Sequence, residues 1–318
     1  MRYMDYELAS RELVRALRGS RSQAAMRRRL KRTSNVLHAW ETGTRYPAAS
    51  DFLQLLQLAG HAPGLVLSRY APCRGATPRA LVTSWLNGLS RDRSHAELSR
   101  LLGVNRNTVA RWLGGETEPR LPQLLAFVQV TTQRVLDFLG ELVEAERLPS
   151  VAAAHADLQQ QRSLAYSRPW AHAVLRALEL EQYRELQAHQ PGVLASSTGI
   201  GVDEEAECLE ALLRAKQVRR RHGRYHVGRV LSVDTREDPA RSLALKRHWF
   251  GVASERLVRD GIPAAGLASY NLFAISETDL ERIRQAHLDY YERVRAIVAE
   301  CQRPTRVVLA TIGLLPLG

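Results

Sequence analysis

The chain has little of what most enzymes, metalloproteins and secreted domains need. Only three cysteines, Cys73, Cys208 and Cys301, occur in 318 residues. None sits in a CxxC pair, so neither a disulfide framework nor a cysteine zinc site can be read from them. The ten histidines are scattered, with no HExxH, and His222 and His226 sit on a basic turn without carboxylates at ligand spacing; no metal is assigned. No Walker motif is present, and Gly199-Ile200-Gly201 lacks the third glycine and the βαβ setting of a dinucleotide site. No cofactor and no catalytic activity are therefore expected. No stretch approaches the roughly 18 uninterrupted apolar residues of a membrane span, and the opening MRYMDYELAS is polar and acidic, which disfavours a secretory signal. These absences predict a reducing, cytoplasmic setting with no membrane partner.

Acidic residues are also short, 33 against 45 basic ones, for a net charge of +12. Of that excess, +7 falls within residues 1–72. Residues 18–32 carry Arg18, Arg21, Arg27, Arg28, Arg29, Lys31 and Arg32 with no acid. A second cluster comprises Arg214, Lys216, Arg219, Arg220, Arg221, Arg224 and Arg229. Each is either a solvated helix face or a surface for a polyanion, whose neutralised phosphates release counterions on binding. The length predicts two or more folding units, and the 45% hydrophobic content supplies cores for them.

An internal repeat organises the first half. SQAAMRRRLKRTSNVLHAWETGTRYP (22 to 47) aligns without gaps on SHAELSRLLGVNRNTVARWLGGETEP (94 to 119), an offset of 72. Ser22 falls on Ser94, Leu30 on Leu102, Asn35 on Asn107, Leu37 on Val109, Trp40 on Trp112, Gly43 on Gly115 and Pro47 on Pro119. Each copy opens on a serine able to cap a helix and continues with apolar residues at i and i+4, Met26 and Leu30 or Leu98 and Leu102. A break of about three residues follows, then a second helix with Leu37 and Trp40, or Val109 and Trp112, on its apolar side, ending near Gly43 or Gly115. Flanking helices before and after each pair close it into a small bundle, with both tryptophans in the core.

Both segments resemble the lambda-repressor-like, Xre-type helix-turn-helix domain, with its Ser-Gln start, Leu-Gly-Val turn and Trp-Glu-x-Gly close, over about residues 5–60 and 77–140. The resemblance implies that the second motif helix enters the major groove of double-stranded DNA while the first crosses the backbone. It places base reading on Thr33, Ser34, Asn35, His38 and Ala39 in one copy, and on Asn105, Arg106, Asn107, Thr108 and Arg111 in the other. Asn suits bidentate pairing with adenine and Arg with guanine. Arg21, Gln23, Arg27, Arg28, Lys31, Arg32, Arg45 and His95 are the expected phosphate contacts. The copies depart from the family pattern in different places. Arg27 stands where a small residue is usual, and Lys31-Arg32 replace the Gly-Val of the turn. The second copy keeps Leu102-Gly103-Val104 but has His95 for the Gln and Leu113 for the Glu.

After Pro149 the pattern changes. Trp170, Val174, Leu175, Leu178, Leu180 and Tyr183 give one apolar helix side. A turn at Gly199-Ile200-Gly201, a helix carrying Ala206, Leu209, Leu212 and Leu213, and a hairpin at His222-Gly223 resemble a winged helix. Asp203, Glu204, Glu205, Glu207 and Glu210 on its would-be recognition helix would repel phosphate, which favours a structural or dimer-forming role. The end of the chain reads strand (269–275), helix (277–300, capped by Ser276), strand (305–314). Leu280, Ile283, His287, Tyr290, Val294, Ile297 and Cys301 form a heptad seam that either pairs with a second copy or packs on those two strands.

The whole chain resembles a group of bacterial transcriptional regulators with a C-terminal domain of unknown function. The expected fold is mainly α: helix-turn-helix bundles at 1–72 and 73–148, a helical and winged-helix-like region at 149–235, and a small C-terminal β-α-β element at 236–318. The resemblance implies a DNA-binding regulator, a nucleoid-associated homodimeric repressor joined through its C-terminal half, with an effector of unknown kind as a possible further partner. A different reading makes the helix-turn-helix units protein-docking modules, as in an antitoxin.

Overall fold

The computed structural model describes residues 4–91, 93–228, 235, 238–263 and 266–317. It is mainly helical: among the described residues there are seventeen α-helices and one two-stranded sheet. Two compact units divide the chain, residues 1–159 and residues 160–318. Both repeats lie within the first of these units.

In the first unit the duplication extends over five helices. The first repeat comprises α1 (Tyr6–Arg18), α2 (Gln23–Arg29), α3 (Val36–Thr42), α4 (Ala49–Leu58) and α5 (Pro63–Ser68). The second comprises α6 (Pro78–Leu89), α7 (His95–Leu102), α8 (Arg106–Leu113), α9 (Leu121–Thr132) and α10 (Val135–Leu142). The starts of α1 and α6, of α2 and α7, of α4 and α9, and of α5 and α10 each differ by 72 positions. The caps are duplicated too. The Ser22 hydroxyl accepts from Ala25 N–H at 3.1 Å and the Ser94 hydroxyl from Glu97 N–H at 3.2 Å, satisfying one amide that a helix start leaves open. Met26 and Leu98, Leu37 and Val109, Trp40 and Trp112 are all buried. Equivalent apolar positions thus build equivalent cores, and the tryptophans hold the scaffold.

Past a short 3₁₀ turn at Ala145–Arg147, α11 (Pro149–Ser167) leads into the second unit. There α12 (Pro169–Ala177), α13 (Glu181–Arg184), α14 (Val193–Thr198) and α15 (Val202–Arg214) precede a hairpin of β1 (Val218–Arg221) and β2 (Arg224–Val227). Val174, Leu175, Leu194, Cys208, Leu209 and Leu212 share the core. Ala206 is exposed, and Glu205 and Cys208 take the inward positions beside Leu209. The hairpin turn lies at His222-Gly223, as its sequence predicts. Arg221 pairs with Arg224 around the two residues, whose φ angles of 49° and 74° are those of a type I′ turn.

The remaining two helices are α16 (Pro239–Asp260) and α17 (Glu277–Glu300). Trp249 of α16 meets Trp170 of α12 edge to face at 5.2 Å. The expected β-α-β element needs correction: 269–275 and 305–314 form no strand. Neither segment lies against a partner strand among the described residues, and Leu272 and Val308 are more than three-quarters exposed. β propensity reflects packing on a pleated neighbour more than any intrinsic preference of the backbone. The helix between them does run from Glu277 to Glu300, and Ser276 accepts from Asp279 N–H at 3.1 Å. Among the described residues no strand covers its seam, and Ile297 is 68% exposed.

Candidate nucleic-acid interface

The first motif pairs α2 with α3. Thr33, Ser34, Asn35 and His38 all lie exposed at the start of α3. Asn35 also caps that helix, its Oδ1 accepting from His38 N–H at 3.4 Å. The turn between the helices is built differently from its counterpart. Lys31 adopts φ 54°, where the equivalent Gly103 adopts 66°. A Cβ is disfavoured in that left-handed region. Lys31→Gly is accordingly expected to raise stability by about 1 kcal/mol in urea denaturation; an unchanged or lower midpoint would show that the lysine side chain compensates by other contacts.

Arg27, which stands in for a small residue, is half-buried, and its guanidinium donates to the Thr33 carbonyl at 2.7 Å. Ser99, its equivalent, donates to the Val104 carbonyl at 2.6 Å. Both side chains thus tie the first motif helix to the turn. Arg32 is paired with Asp51, while Arg21, Arg28, Lys31 and Arg45 are exposed.

Beneath this surface lies a polar cluster that sequence reasoning did not find. Glu41 is buried, at 4% exposure. Its carboxylate accepts from Arg18 Nε at 2.5 Å and from Gln23 Nε2 at 2.8 Å. Gln23, expected at phosphate, is therefore a half-buried strut. At the equivalent positions the second repeat has Ser90, His95 and Leu113: a buried leucine stands where the ion-paired carboxylate does, and His95 is exposed. The Glu-to-Leu exchange seen in the sequence is one part of a three-residue replacement.

The second motif pairs α7 with α8. Asn105 caps α8, accepting from Asn107 N–H at 2.8 Å. Arg106 and Asn107 follow in its first turn, both exposed, and neither side chain has an intramolecular hydrogen bond or ion pair among the described residues. Thr108 is half-buried, and Arg111 is exposed with Glu116 at 3.5 Å. Five donor N–H groups on Arg106 and a complete amide on Asn107 thus face solvent from a helix whose other side is anchored by Val109 and Trp112.

In the second unit the basic cluster runs from the end of α15, at Arg214, onto the hairpin. Register puts Arg219 opposite His226 and Arg221 opposite Arg224, on one face. Arg224 is held by the Leu186 carbonyl at 2.7 Å; Arg229 lies outside the described residues. The acidic residues of α15 divide. Asp203, Glu207 and Glu210 are exposed, whereas Glu205 is buried and accepts from Ala195 N–H at 2.5 Å and Gly192 N–H at 3.3 Å. It supplies from another helix the cap that Gly192 cannot give α14. His189 lies 3.4 Å from Glu205, and burial holds its pKa below the ordinary imidazole value. Burial also pushes the Cys208 thiol up to about 12, which leaves it unreactive. Among the described residues there is no cluster of histidine, cysteine and carboxylates fit for a metal, and no helix long and apolar enough to cross a membrane.

A family model described as a domain of unknown function (DUF4423) matches residues 151–317. No curated protein and no solved structure matches the chain.

Proposed function

We propose that this chain, which belongs to the DUF4423 family, is a sequence-specific double-stranded DNA-binding transcriptional regulator acting as a repressor. The observation that carries the reading is the first turn of α8, where Arg106 and Asn107 present unengaged, exposed donors and acceptors on a rigid helix. Buried tryptophans behind both motif helices fix their positions. In this reading the two motifs are helix-turn-helix units, with α3 and α8 in the major groove. Arg106, Asn107 and Arg111, with Ser34 and His38, choose the sequence; Arg21, Arg28, Lys31, Arg45 and His95 hold phosphates. Occupying a promoter then excludes polymerase. The chain works in the cytoplasm on the nucleoid.

Two substitutions separate these roles. Arg106→Ala is expected to cost about 1–3 kcal/mol at one base pair of the site. Arg28→Ala should weaken all sequences alike and lower the slope of log affinity against log salt by about 1. Both are read by titrating matched and single-base-changed duplexes at several salt concentrations. Identical behaviour of the two variants would overturn the assignment.

The part of the second unit formed by α12–α15 and the hairpin fits a winged helix used for structure. The exposed acids of α15 set it against a phosphate backbone, although the hairpin is basic. Dimerisation is assigned to the heptad seam of α17, whose Tyr290 and Ile297 are 49% and 68% exposed. Ile297→Asp should shift full-length chain toward monomer by about two orders of magnitude, the ~3 kcal/mol of an unpaired buried charge. Sedimentation equilibrium reads this directly, and an unchanged dimer would move the interface elsewhere.

A further inference from the structure

The bonds joining the two repeats come in exchange-related pairs. Ala49 N–H donates to the Pro119 carbonyl at 3.0 Å, and Leu121 N–H donates to the Pro47 carbonyl at 2.9 Å. Between them lies an antiparallel bridge of Ala48 with Arg120. At the repeat offset of 72, Ala49 is equivalent to Leu121, Pro47 to Pro119 and Ala48 to Arg120. Each bond is thus the other with the repeats interchanged. That is the property of an isologous contact, in which residue i meets j and j meets i, and it requires a local two-fold axis through the bridge.

Helix packing obeys the same exchange. α1 packs on α9 and α6 packs on α4, and the equivalent pairs are α1 with α6 and α4 with α9. Each repeat therefore lays its first helix on the fourth helix of the other. The bridge follows α3, which ends at Thr42, and α8, which ends at Leu113, by only five or six residues. Both motif helices are consequently tied to the axis by short segments and cannot reorient on a flexible linker.

We propose that a single chain is a built-in pseudo-dimer that binds an inverted pair of half-sites on one B-form duplex, without a second copy. The inference rests on the DNA-binding reading of the motifs and extends it to the arrangement of the site. A rotation of 180° turns one reading face into the other. A duplex engaged by both faces in the same way must carry half-sites related by that rotation, so they are inverted and not directly repeated. Their spacing is fixed at about one helical turn or a multiple of it. The halves are related but unequal, because only part of the reading set is shared. Asn35 and Asn107 are equivalent, whereas Ser34 corresponds to Arg106, His38 to Ala110 and Ala39 to Arg111.

The test uses full-length protein and random-sequence duplex, selected and sequenced, with wild type, Arg106→Ala and His38→Ala side by side. All the substituted side chains are exposed, so folding is not at issue. The expected site is an imperfect inverted repeat. Arg106→Ala should relax one half only and His38→Ala the other, and inserting about half a helical turn (~5 bp) between halves should weaken binding roughly 10- to 100-fold. A direct repeat, a lone half-site, or Arg106→Ala relaxing both halves while His38→Ala changes neither, would overturn the pseudo-dimer and leave DNA binding standing. The last of these would mean that two chains each use the second motif. Retention with no enriched sequence would sink the DNA reading and the pseudo-dimer with it.

Discussion

Replacing Phe138 with alanine is expected to remove about 3–5 kcal/mol of stability from the N-terminal unit and to unfold both repeats in one transition. Phe138 is fully buried on α10. Its ring lies 5.8 Å from Trp85 in its own repeat and 6.4 Å from Phe52 in the other. Tyr70, from the segment joining the repeats, meets it edge-on at 5.4 Å. A cavity here would remove contacts on both sides of the two-fold axis, and the rigid neighbouring rings limit collapse. Urea denaturation followed by peptide-resolved hydrogen exchange reads both effects. Loss of protection in residues 78–142 alone, with 6–68 unaffected, would contradict a single cooperative unit.

Removal of the Glu41 carboxylate should be almost as severe. Glu41→Ala leaves the Arg18 guanidinium and the Gln23 amide facing a buried gap, and a loss of about 3 kcal/mol is expected. Importing the second repeat's residues together, as Arg18→Ser, Gln23→His and Glu41→Leu, should bring stability back to within about 1 kcal/mol of the parent, because a buried ion pair and an apolar contact of similar volume are energetically close. Chemical denaturation of the single and triple variants decides the matter. A triple variant no better than Glu41→Ala would mean that the two repeats are not interchangeable at this position.

The local devices of the first unit were legible because each depends on neighbours in sequence. Ser22 and Ser94 cap their helices through bonds to residues three positions on, and the tryptophans follow helical spacing. The hairpin at His222-Gly223 was legible for the same reason. What joins distant residues was not. Nothing in the spacing of Arg18, Gln23 and Glu41 announces that they meet, although the absence of all three from the second repeat is a covariation visible in one sequence. The two-fold bridge at Ala48 and Arg120 involves backbone groups, which carry no residue identity. The 269–275 and 305–314 segments failed as strands because alternating apolar residues specify a strand only where another strand lies alongside. α16 was missed although Asp238 caps it and Pro239 occupies its first turn, a pairing that marks helix starts.

The candidate site divides in the same way. Exposure of Thr33, Ser34, His38, Arg106, Asn107 and Arg111 follows from helical periodicity once the buried side is known. The internal duties of Gln23, Arg27 and Arg32 depend on partners up to nineteen residues away and emerge only in three dimensions. Basic residues near a motif are therefore not interchangeable as phosphate contacts. Arg28 and Lys31 are exposed, while Arg32 already has Asp51.

The central claim is that this surface chooses a DNA sequence, and genomic DNA selection with purified full-length protein at roughly physiological salt tests it most directly. Sequencing of the bound fragments should show one enriched motif with a fixed half-site spacing. Uniform, salt-sensitive retention of all fragments, or a stoichiometric protein partner carried through purification in place of DNA, would contradict the account and make the exposed motif helices protein-docking surfaces.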